Sequence, residues 1–175
     1  LRARACAILT GSGTLLIDNP RMTVRNFDIG RQPLRVIVDS RLRTPPSAAI
    51  LPALIVCAAS QPDSRDALIA AGAEIIELPD PNGRVDLAAL MIELARRGIN
   101  EVHVEAGAAL SGALLEAGLI DEWVAYIAPM ALGHDARDVF KHPPLESLEH
   151  AARFCLQDVR QVGGDLRLTL VPRDN

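Results

Sequence analysis

Aromatic side chains, positive charge and long hydrophobic runs are all scarce in this sequence. Only 3% of the 175 residues are aromatic, and 18 lysine and arginine residues face 22 aspartate and glutamate residues, for a net charge of −4. Without a basic stripe, the composition argues against a nucleic-acid partner. No run approaches the ~20 apolar residues of a membrane span, and no signal peptide is visible. We therefore expect neither a nucleic-acid-binding nor a membrane protein.

Cysteine is also scarce. The three cysteines, Cys6, Cys57 and Cys155, are odd in number and far apart, and no C-x-x-C pair suggests a metal site. This pattern fits buried thiols in a reducing compartment, so we expect a cytoplasmic protein without a bound metal. The chain starts at Leu1 without a methionine. We expect that it begins partway into a longer gene product.

Short aliphatic segments are abundant and alternate between strand and helix patterns. Hydrophobic residues make up 49% of the chain. Most of them are Ala, Leu, Val and Ile, which usually form the core of a parallel sheet covered by helices. The alternation predicts an α/β fold with a mainly parallel sheet, and no linker divides it, which predicts a single domain over residues 1–175. Strands are predicted at 6–9, 34–38, 53–57, 73–77, a segment ending at 105 and 122–128, helices at 63–71, 86–97 and up to about 118, and an antiparallel hairpin at 154–162 and 166–171.

Three candidate binding segments follow predicted strands. They are Gly11–Thr14, Asp39-Ser40 and Glu105–Gly107. Because parallel strands place their carboxyl ends at one edge of the sheet, these segments are expected to converge there. This convergence is stronger evidence for a ligand site than any one of the motifs.

The turn after Glu105 is the most informative of the three. A β-branched run, a carboxylate, a glycine turn and a helical pattern succeed one another, the geometry that offers backbone N–H groups to a phosphate. The spacing is not the G-x-G-x-x-G of dinucleotide-binding folds, and an ordinary βα turn remains an equal alternative. Gly11–Thr14 likewise fits either a phosphate cradle or a helix cap, and alone it favours the cap.

Several charged or titratable residues could either bind a ligand or simply lie on the surface or in the core. Arg41 and Arg43 could meet the 2′-phosphate of NADP, or could belong to a solvated loop. Arg25, after the Pro20 turn, could bind a phosphate, although surface arginines are commoner. His103 shares a strand face with Glu105 by the period of two, but a packed or surface histidine is the simpler interpretation.

Together these segments resemble one family, the reductase domain of the bifunctional deaminase/reductase of riboflavin biosynthesis. The likeness runs in order over nearly the whole chain. It is carried by Ala7-Ile8-Leu9-Thr10-Gly11-Ser12-Gly13-Thr14, Asp18-Asn19-Pro20-Arg21-Met22-Thr23-Val24-Arg25, Leu34 to Ser40, Val104-Glu105-Ala106-Gly107, Leu110 to Leu115 and Asp121 to Gly133.

The resemblance implies a dihydrofolate-reductase-like fold, a three-layer α/β/α arrangement with a mainly parallel mixed sheet and a C-terminal antiparallel hairpin. It implies an NADPH-dependent reductase that converts 5-amino-6-(5-phosphoribosylamino)uracil to the ribityl compound. It also implies a homodimer. An upstream zinc deaminase domain would belong to the full-length protein, since the deaminase motifs H-x-E and P-C-x-x-C are missing from this chain.

The resemblance also implies roles for individual residues. Met22, Arg25 and Glu105 would contact the phosphorylated substrate, with Arg25 at its phosphate. The proton donor stays open between Asp18, Glu105 and water. The NADPH site would comprise Thr14, Asp18 and Ser40, with the cofactor phosphates bound by Gly107, Ala108, Ala109, Leu110, Ser111, Gly112 and Ala113.

Two departures from the family pattern are visible. The family's reductase domain starts earlier, so its first strand is expected to be missing here. Ala108-Ala109 replaces the Pro or Thr that often follows the Glu-Ala-Gly turn, which keeps the backbone donors and loses a hydroxyl. Two alternatives remain: a reductase of the same fold for another pterin- or pyrimidine-like substrate, and a non-catalytic nucleotide-binding module.

Overall fold

The chain builds two sheets of opposite character. The computed structural model describes residues 1–25 and 29–173. It divides into two compact units, Leu1–Leu110 and Ser111–Asn175, with the division inside one helix. The strands are β1 (Ala7–Gly11), β2 (Leu34–Val38), β3 (Leu54–Cys57), β4 (Glu74–Glu77), β5 (Val102–Val104), β6 (Trp123–Ile127), β7 (Phe154–Val162) and β8 (Asp165–Pro172), and the helices are α1 (Ser12–Asp18), α2 (Pro62–Ala70), α3 (Leu87–Arg96) and α4 (Ala108–Glu116).

The first unit is a five-stranded parallel sheet in the order β4-β3-β2-β1-β5. The inner strands β1 and β3 are short runs of mainly aliphatic residues that are buried on both faces, as parallel sheets between helices require, whereas the edge strands β4 and β5 are partly exposed. Leu9, Val36 and Val56 are fully buried on one face. The other face forms a hydrophobic cluster in which Leu15 of α1 and Leu68 of α2 join Ile8, Ile37, Ile55 and Ile75.

The second unit contains an antiparallel sheet in the order β6-β8-β7. The β7–β8 hairpin turns at Gly163, whose positive φ of 62° suits a glycine. Trp123 at the start of β6 packs edge-to-face against Phe140 and Phe154, with ring centroids 5.0 and 5.4 Å apart. A few aromatic residues thus make a local cluster in an otherwise aliphatic chain.

The predicted α/β fold with a mainly parallel sheet is confirmed, and so is the C-terminal hairpin. The hairpin lies in a separate sheet with β6 instead of extending the parallel one. Residues 12–18 form a helix where the sequence indicated only a short apolar turn. Asp86 caps α3 as expected, since its carboxylate accepts a hydrogen bond of 2.9 Å from the Ala89 N–H.

Two negative observations apply to residues 1–25 and 29–173. None of the helices there has the length and hydropathy needed to cross a bilayer. Within the same residues, no three His, Cys, Asp or Glu side chains are grouped so that they could hold a metal ion.

Candidate functional site

The carboxyl ends of β2, β1 and β5 lie side by side, as the sequence predicted. In the parallel register, Gly11 pairs with Val38 and Leu9 pairs with Val104. The chain adds β2, β3 and β4 on one side of β1 and then returns to add β5 on the other. Ligands of open α/β sheets bind outside the strand ends at such a reversal of strand order. The topology therefore places the candidate site between the segments that follow β1 and β5.

Those two segments meet at Gly107 and Thr14. Gly107 is exposed and directly precedes α4, and the Thr14 hydroxyl lies 3.7 Å from the position that a Cβ on Gly107 would take. The first turn of a helix has N–H groups without partners inside the helix. Thr14, Gly107 and the start of α4 at Ala108 therefore combine a hydroxyl, open backbone and helix N–H groups. This set fits a phosphate group.

The rest of the predicted phosphate-binding segment continues along α4. Ala109 is exposed, and Leu110 packs against Gly11, where a Cβ would lie 3.4 Å from the Leu110 side chain. Ser111, Gly112 and Ala113 fall in the second unit. A Cβ on Gly112 would overlap the Lys141 backbone carbonyl. Close packing alone therefore explains the glycine at 112.

A buried carboxylate organises the loop after β2. Asp39 has no exposed surface, and its Oδ2 accepts hydrogen bonds from the N–H (2.7 Å) and hydroxyl (2.8 Å) of Thr44. Leu42, also buried, takes a left-handed φ of 51° between them. The Ser40 Oγ accepts a hydrogen bond of 3.2 Å from the Val85 N–H, which leaves the hydroxyl proton of Ser40 as a donor. The loop is therefore held in shape before any ligand binds.

Arg41 and Arg43 differ in their surroundings. Arg43 donates to the Ser12 hydroxyl at 2.9 Å, and its Nε lies 3.8 Å from Asp39 Oδ1. Arg41 is exposed, and none of the residues in the described part of the chain makes a hydrogen bond or ion pair with it. Of the two arginines, Arg41 is the one whose charge is available to a ligand.

Glu105 is held by two cationic or titratable side chains at the end of β5. Arg2 binds its carboxylate in a bidentate manner, with Nε 2.6 Å from Oε1 and Nη2 2.5 Å from Oε2. His103 Nε2 lies 3.1 Å from the same Oε1. Hydrogen bonds from Arg2, followed by those from His103, lower the pKa of Glu105 to about 2. Glu105 is therefore ionised at neutral pH and can accept hydrogen bonds from a ligand.

The lowered pKa of Glu105 predicts a dependence of stability on acid. A carboxylate whose pKa falls from 4.5 to about 2 on folding stabilises the protein fully above pH 4.5 and loses that contribution as the pH drops towards 2. The side chains of Arg2 and Glu105 are both more than a quarter exposed, so solvent weakens their interaction. We therefore expect it to contribute roughly 1 kcal/mol to the free energy of unfolding. Urea unfolding at pH 6, 4 and 3 should show this loss in the parent and not in Glu105→Gln. Glu101→Gln, which removes an exposed ion pair with Arg4, is the control and should resemble the parent.

The segment after α1 places Met22 and Arg25 differently. Met22 is buried in the hydrophobic cluster with a positive φ of 50°, so a substrate contact would involve its backbone. Arg2 donates to the Thr23 carbonyl at 2.9 Å, and Gln32 bonds both the N–H and the carbonyl of Val24. Arg25 is exposed directly after this anchored stretch. Asp18 ends α1 and is also exposed, close in sequence to the same stretch.

Two features of the site were missed or undervalued from the sequence. Arg2 gave no local signal, because its partner Glu105 lies 103 residues further along the chain. The shared face of His103 and Glu105 was predicted by the period of two, and the structure shows their side chains in contact. That period was the available signal for assigning His103 to the site.

Comparison with known proteins gives consistent matches. The family model of the RibD C-terminal domain matches residues 1–168. The riboflavin biosynthesis protein RibD of Escherichia coli is 40% identical over 98% of this chain, and the chain spans 50% of that protein. A 5-amino-6-(5-phosphoribosylamino)uracil reductase of Buchnera aphidicola is 32% identical, with 98% of this chain and 89% of that protein covered. Acinetobacter baumannii RibD superposes with a TM-score of 0.82 at 34% identity, covering 98% of this chain and 48% of that one.

Proposed function

Because this chain belongs to the RibD C-terminal domain family, we propose that it is an NADPH-dependent reductase of 5-amino-6-(5-phosphoribosylamino)uracil. The product would be the ribitylamino compound, an intermediate of riboflavin biosynthesis. The chain spans about half the length of the first relatives it matches. We propose that the remaining half is a deaminase domain upstream of residue 1, and that the protein acts in the cytoplasm.

The observation that carries this proposal is the arrangement at the carboxyl edge of the parallel sheet. A phosphate-compatible turn at Gly107 and an ionised Glu105 follow the same strand, two residues apart. The turn at Gly107 favours a phosphorylated cofactor, and the Glu105 carboxylate favours hydroxyl and N–H donors of a sugar or pyrimidine. A reductase of a ribosylated pyrimidine needs both kinds of contact at adjacent points.

The residues present fit NADPH. Gly107 has open space above it, Thr14 offers a hydroxyl beside it, and Ser40 keeps a donor proton on the prearranged loop after β2. When bound there, NADPH would supply a hydride to C1′ of the ring-opened ribosyl imine. The Thr14 hydroxyl, the Ser40 hydroxyl and the N–H groups of Ala108 to Leu110 would hold the cofactor phosphates and ribose.

The chain's share of the chemistry is positioning and electrostatics. Glu105, held in place by Arg2, would accept hydrogen bonds from the substrate's hydroxyl or ring N–H groups. Arg25 would bind the sugar phosphate from the anchored segment after Val24. The proton that completes the reduction would come from Asp18 or water, and Asp18 would have to reach the substrate from the exposed end of α1.

Turnover assays test the proposal. The full-length protein should oxidise NADPH in the presence of the ribosylaminouracil phosphate, with formation of the ribityl product. Oxidation of NADPH only with a different pterin- or pyrimidine-like compound would favour another reductase of the same fold. NADPH binding without any turnover would favour a nucleotide-binding module. Either of these results would contradict the proposed substrate.

NADPH should be preferred over NADH, chiefly through Arg41. A charged contact to the 2′-phosphate contributes on the order of 1.5–3 kcal/mol, which corresponds to a ~10- to 150-fold ratio of dissociation constants. Arg41→Ala should remove most of this ratio, and the double change with Arg43→Ala should remove the rest. Arg43→Ala alone should change it less, because Ser12 and Asp39 already engage this arginine. Equal affinities in the parent, or an unchanged ratio in the double variant, would contradict the assignment.

We also propose a homodimer through one face of the β6-β8-β7 sheet. Ile127 faces Leu166 in the register, and Val159 and Leu156 lie on the same face opposite Leu168 and Leu170. Ile127, Leu156, Val159 and Leu166 are 45–57% exposed, and contiguous exposed apolar rows of this kind mark interfaces.

Val159→Glu should therefore shift the chain towards monomer in sedimentation or light-scattering measurements. Val162→Glu is the matched control, since Val162 is similarly exposed but pairs with Asp165 on the opposite face. A monomeric parent at micromolar concentration would contradict the proposal, as would equal effects of the two substitutions.

A further inference from the structure

His103 contacts the carboxylate of Glu105, the side chain that we propose binds the substrate. The proposed function gives His103 itself no role. His103 pairs with Ile8 of β1 in the parallel register, and its side chain is 24% exposed. Glu105 lies two residues further along the chain, directly after β5, and its side chain contacts that of His103. Ile8 is fully buried, so the His103 backbone is fixed next to the core of the sheet. His103 thus holds Glu105 from within the sheet.

Arg2 holds the same carboxylate from a different part of the chain. It belongs to the N-terminal turn before β1 and reaches both oxygens of Glu105. Arg2 also donates to the Thr23 carbonyl, and its Nη2 lies 3.7 Å from the Met22 sulfur. The Arg2 guanidinium therefore joins three segments, and its position depends on all of them.

The donors are unequally distributed over the two oxygens of Glu105. Oε1 receives Arg2 Nε and the His103 ring nitrogen, whereas Oε2 receives Arg2 Nη2. Each carboxylate oxygen accepts about two hydrogen bonds, so Oε1 is filled and Oε2 keeps an acceptor position. Because an ionised carboxylate only accepts hydrogen bonds, a hydrogen bond in this contact requires a proton on His103 Nε2. Without His103, Oε1 would also have an open position and the carboxylate would have more rotational freedom.

We propose that His103 is a positioning residue for substrate recognition, which saturates Oε1 of Glu105 and so directs Oε2 towards the substrate. The inference rests on the proposed function, since it takes Glu105 as a substrate contact. It adds a residue that acts through Glu105 and does not itself touch the substrate.

Steady-state kinetics of His103→Leu and His103→Gln in the full-length protein test this role. Leucine removes the donor, and we expect a 5- to 10-fold higher KM for the ribosylaminouracil phosphate with kcat within 2-fold of the parent. Glutamine retains an N–H donor and should recover most of the loss. NADPH affinity should be unchanged in both. An unchanged substrate KM in His103→Leu would overturn the proposal, and so would a loss that glutamine does not recover.

A double-variant cycle separates positioning from a merely structural role. In the Glu105→Gln background, His103→Leu should have less than a 2-fold further effect on KM, because its target is gone. An equal, additive loss in that background would overturn the proposal. Nitrogen NMR of the free protein gives a readout without activity: the His103 ring should carry its proton on Nε2, and a ring protonated only at Nδ1 would overturn the contact. If the parent shows no turnover, the proposed function fails and this inference with it, whereas turnover with an indifferent His103 removes the inference alone.

Discussion

Gly107→Val should abolish NADPH binding while leaving the fold intact. The structure gives both halves of this expectation. A Cβ at 107 meets only the Thr14 hydroxyl, at 3.7 Å, and the glycine does not have a positive φ. The branched side chain is therefore tolerated by the folded chain, but it occupies the space in front of the helix α4 N-terminus that the cofactor phosphates would need. We expect at least a 100-fold rise in the NADPH dissociation constant, with a melting temperature close to that of the parent.

Fluorescence titration of NADPH, together with thermal unfolding, measures both quantities. Gly107→Ala should fall between the parent and the valine variant. Gly164→Val is a control in the β7–β8 turn, where a Cβ meets nothing within 4 Å. It should bind NADPH normally. Should Gly107→Val unfold, or bind NADPH like the parent, the turn has a structural role only.

Arg25→Ala and Glu105→Gln should impair substrate binding and spare the cofactor. Loss of the Arg25 contact to a sugar phosphate should cost roughly 1.5–3 kcal/mol, a ~10- to 150-fold rise in KM where KM follows binding. Glu105→Gln retains the shape but loses the charge that Arg2 and His103 hold, and it should lower kcat/KM by a similar factor. Steady-state kinetics at saturating NADPH, with NADPH affinity titrated separately, measure these effects.

The loop before Arg25 supplies a matched control. Arg21 is also exposed and carries the same charge, four residues earlier. If a general positive field attracted the substrate, Arg21→Ala and Arg25→Ala would act alike. We expect Arg21→Ala to change KM less than 2-fold. A large loss of NADPH affinity in the Arg25 or Glu105 variant, with normal substrate KM, would place these residues in the cofactor half of the site.

The elements that could be predicted are those whose signal is local. Leu34–Val38 is a run of β-branched and aliphatic residues, and the observed strand has the predicted bounds. By contrast, α1 was missed because a seven-residue helix with two buried positions, Ser12 and Leu15, is too short to show a helical period. The partner of the hairpin was missed for another reason. Pairing of β6 with β8 joins segments more than 35 residues apart, which no turn signal specifies.

The same distinction between local and long-range signals applies to the candidate site. Parallel strands and the glycine turn were enough to bring Thr14 and Gly107 to one edge, because strand direction and strand ends are local properties. The contacts that set the electrostatics were not predictable in this way. Arg2 precedes the first strand, and only the folded sheet carries β5 next to it. The availability of Arg41 compared with Arg43 likewise depends on Ser12, in a different element.

The bond between Arg2 and Glu105 has a practical consequence for work on this protein. Residues before Ala7 belong to no strand or helix, and a shortened polypeptide cut at the start of β1 would look harmless by secondary structure. Such a cut would remove the guanidinium that binds both carboxylate oxygens of Glu105 and donates to the Thr23 carbonyl. A soluble, well-folded fragment with weak activity would then reflect the choice of cutting point and not the catalytic capacity of the domain. The N-terminal turn that carries Arg2 is best kept together with the candidate site when the polypeptide is divided.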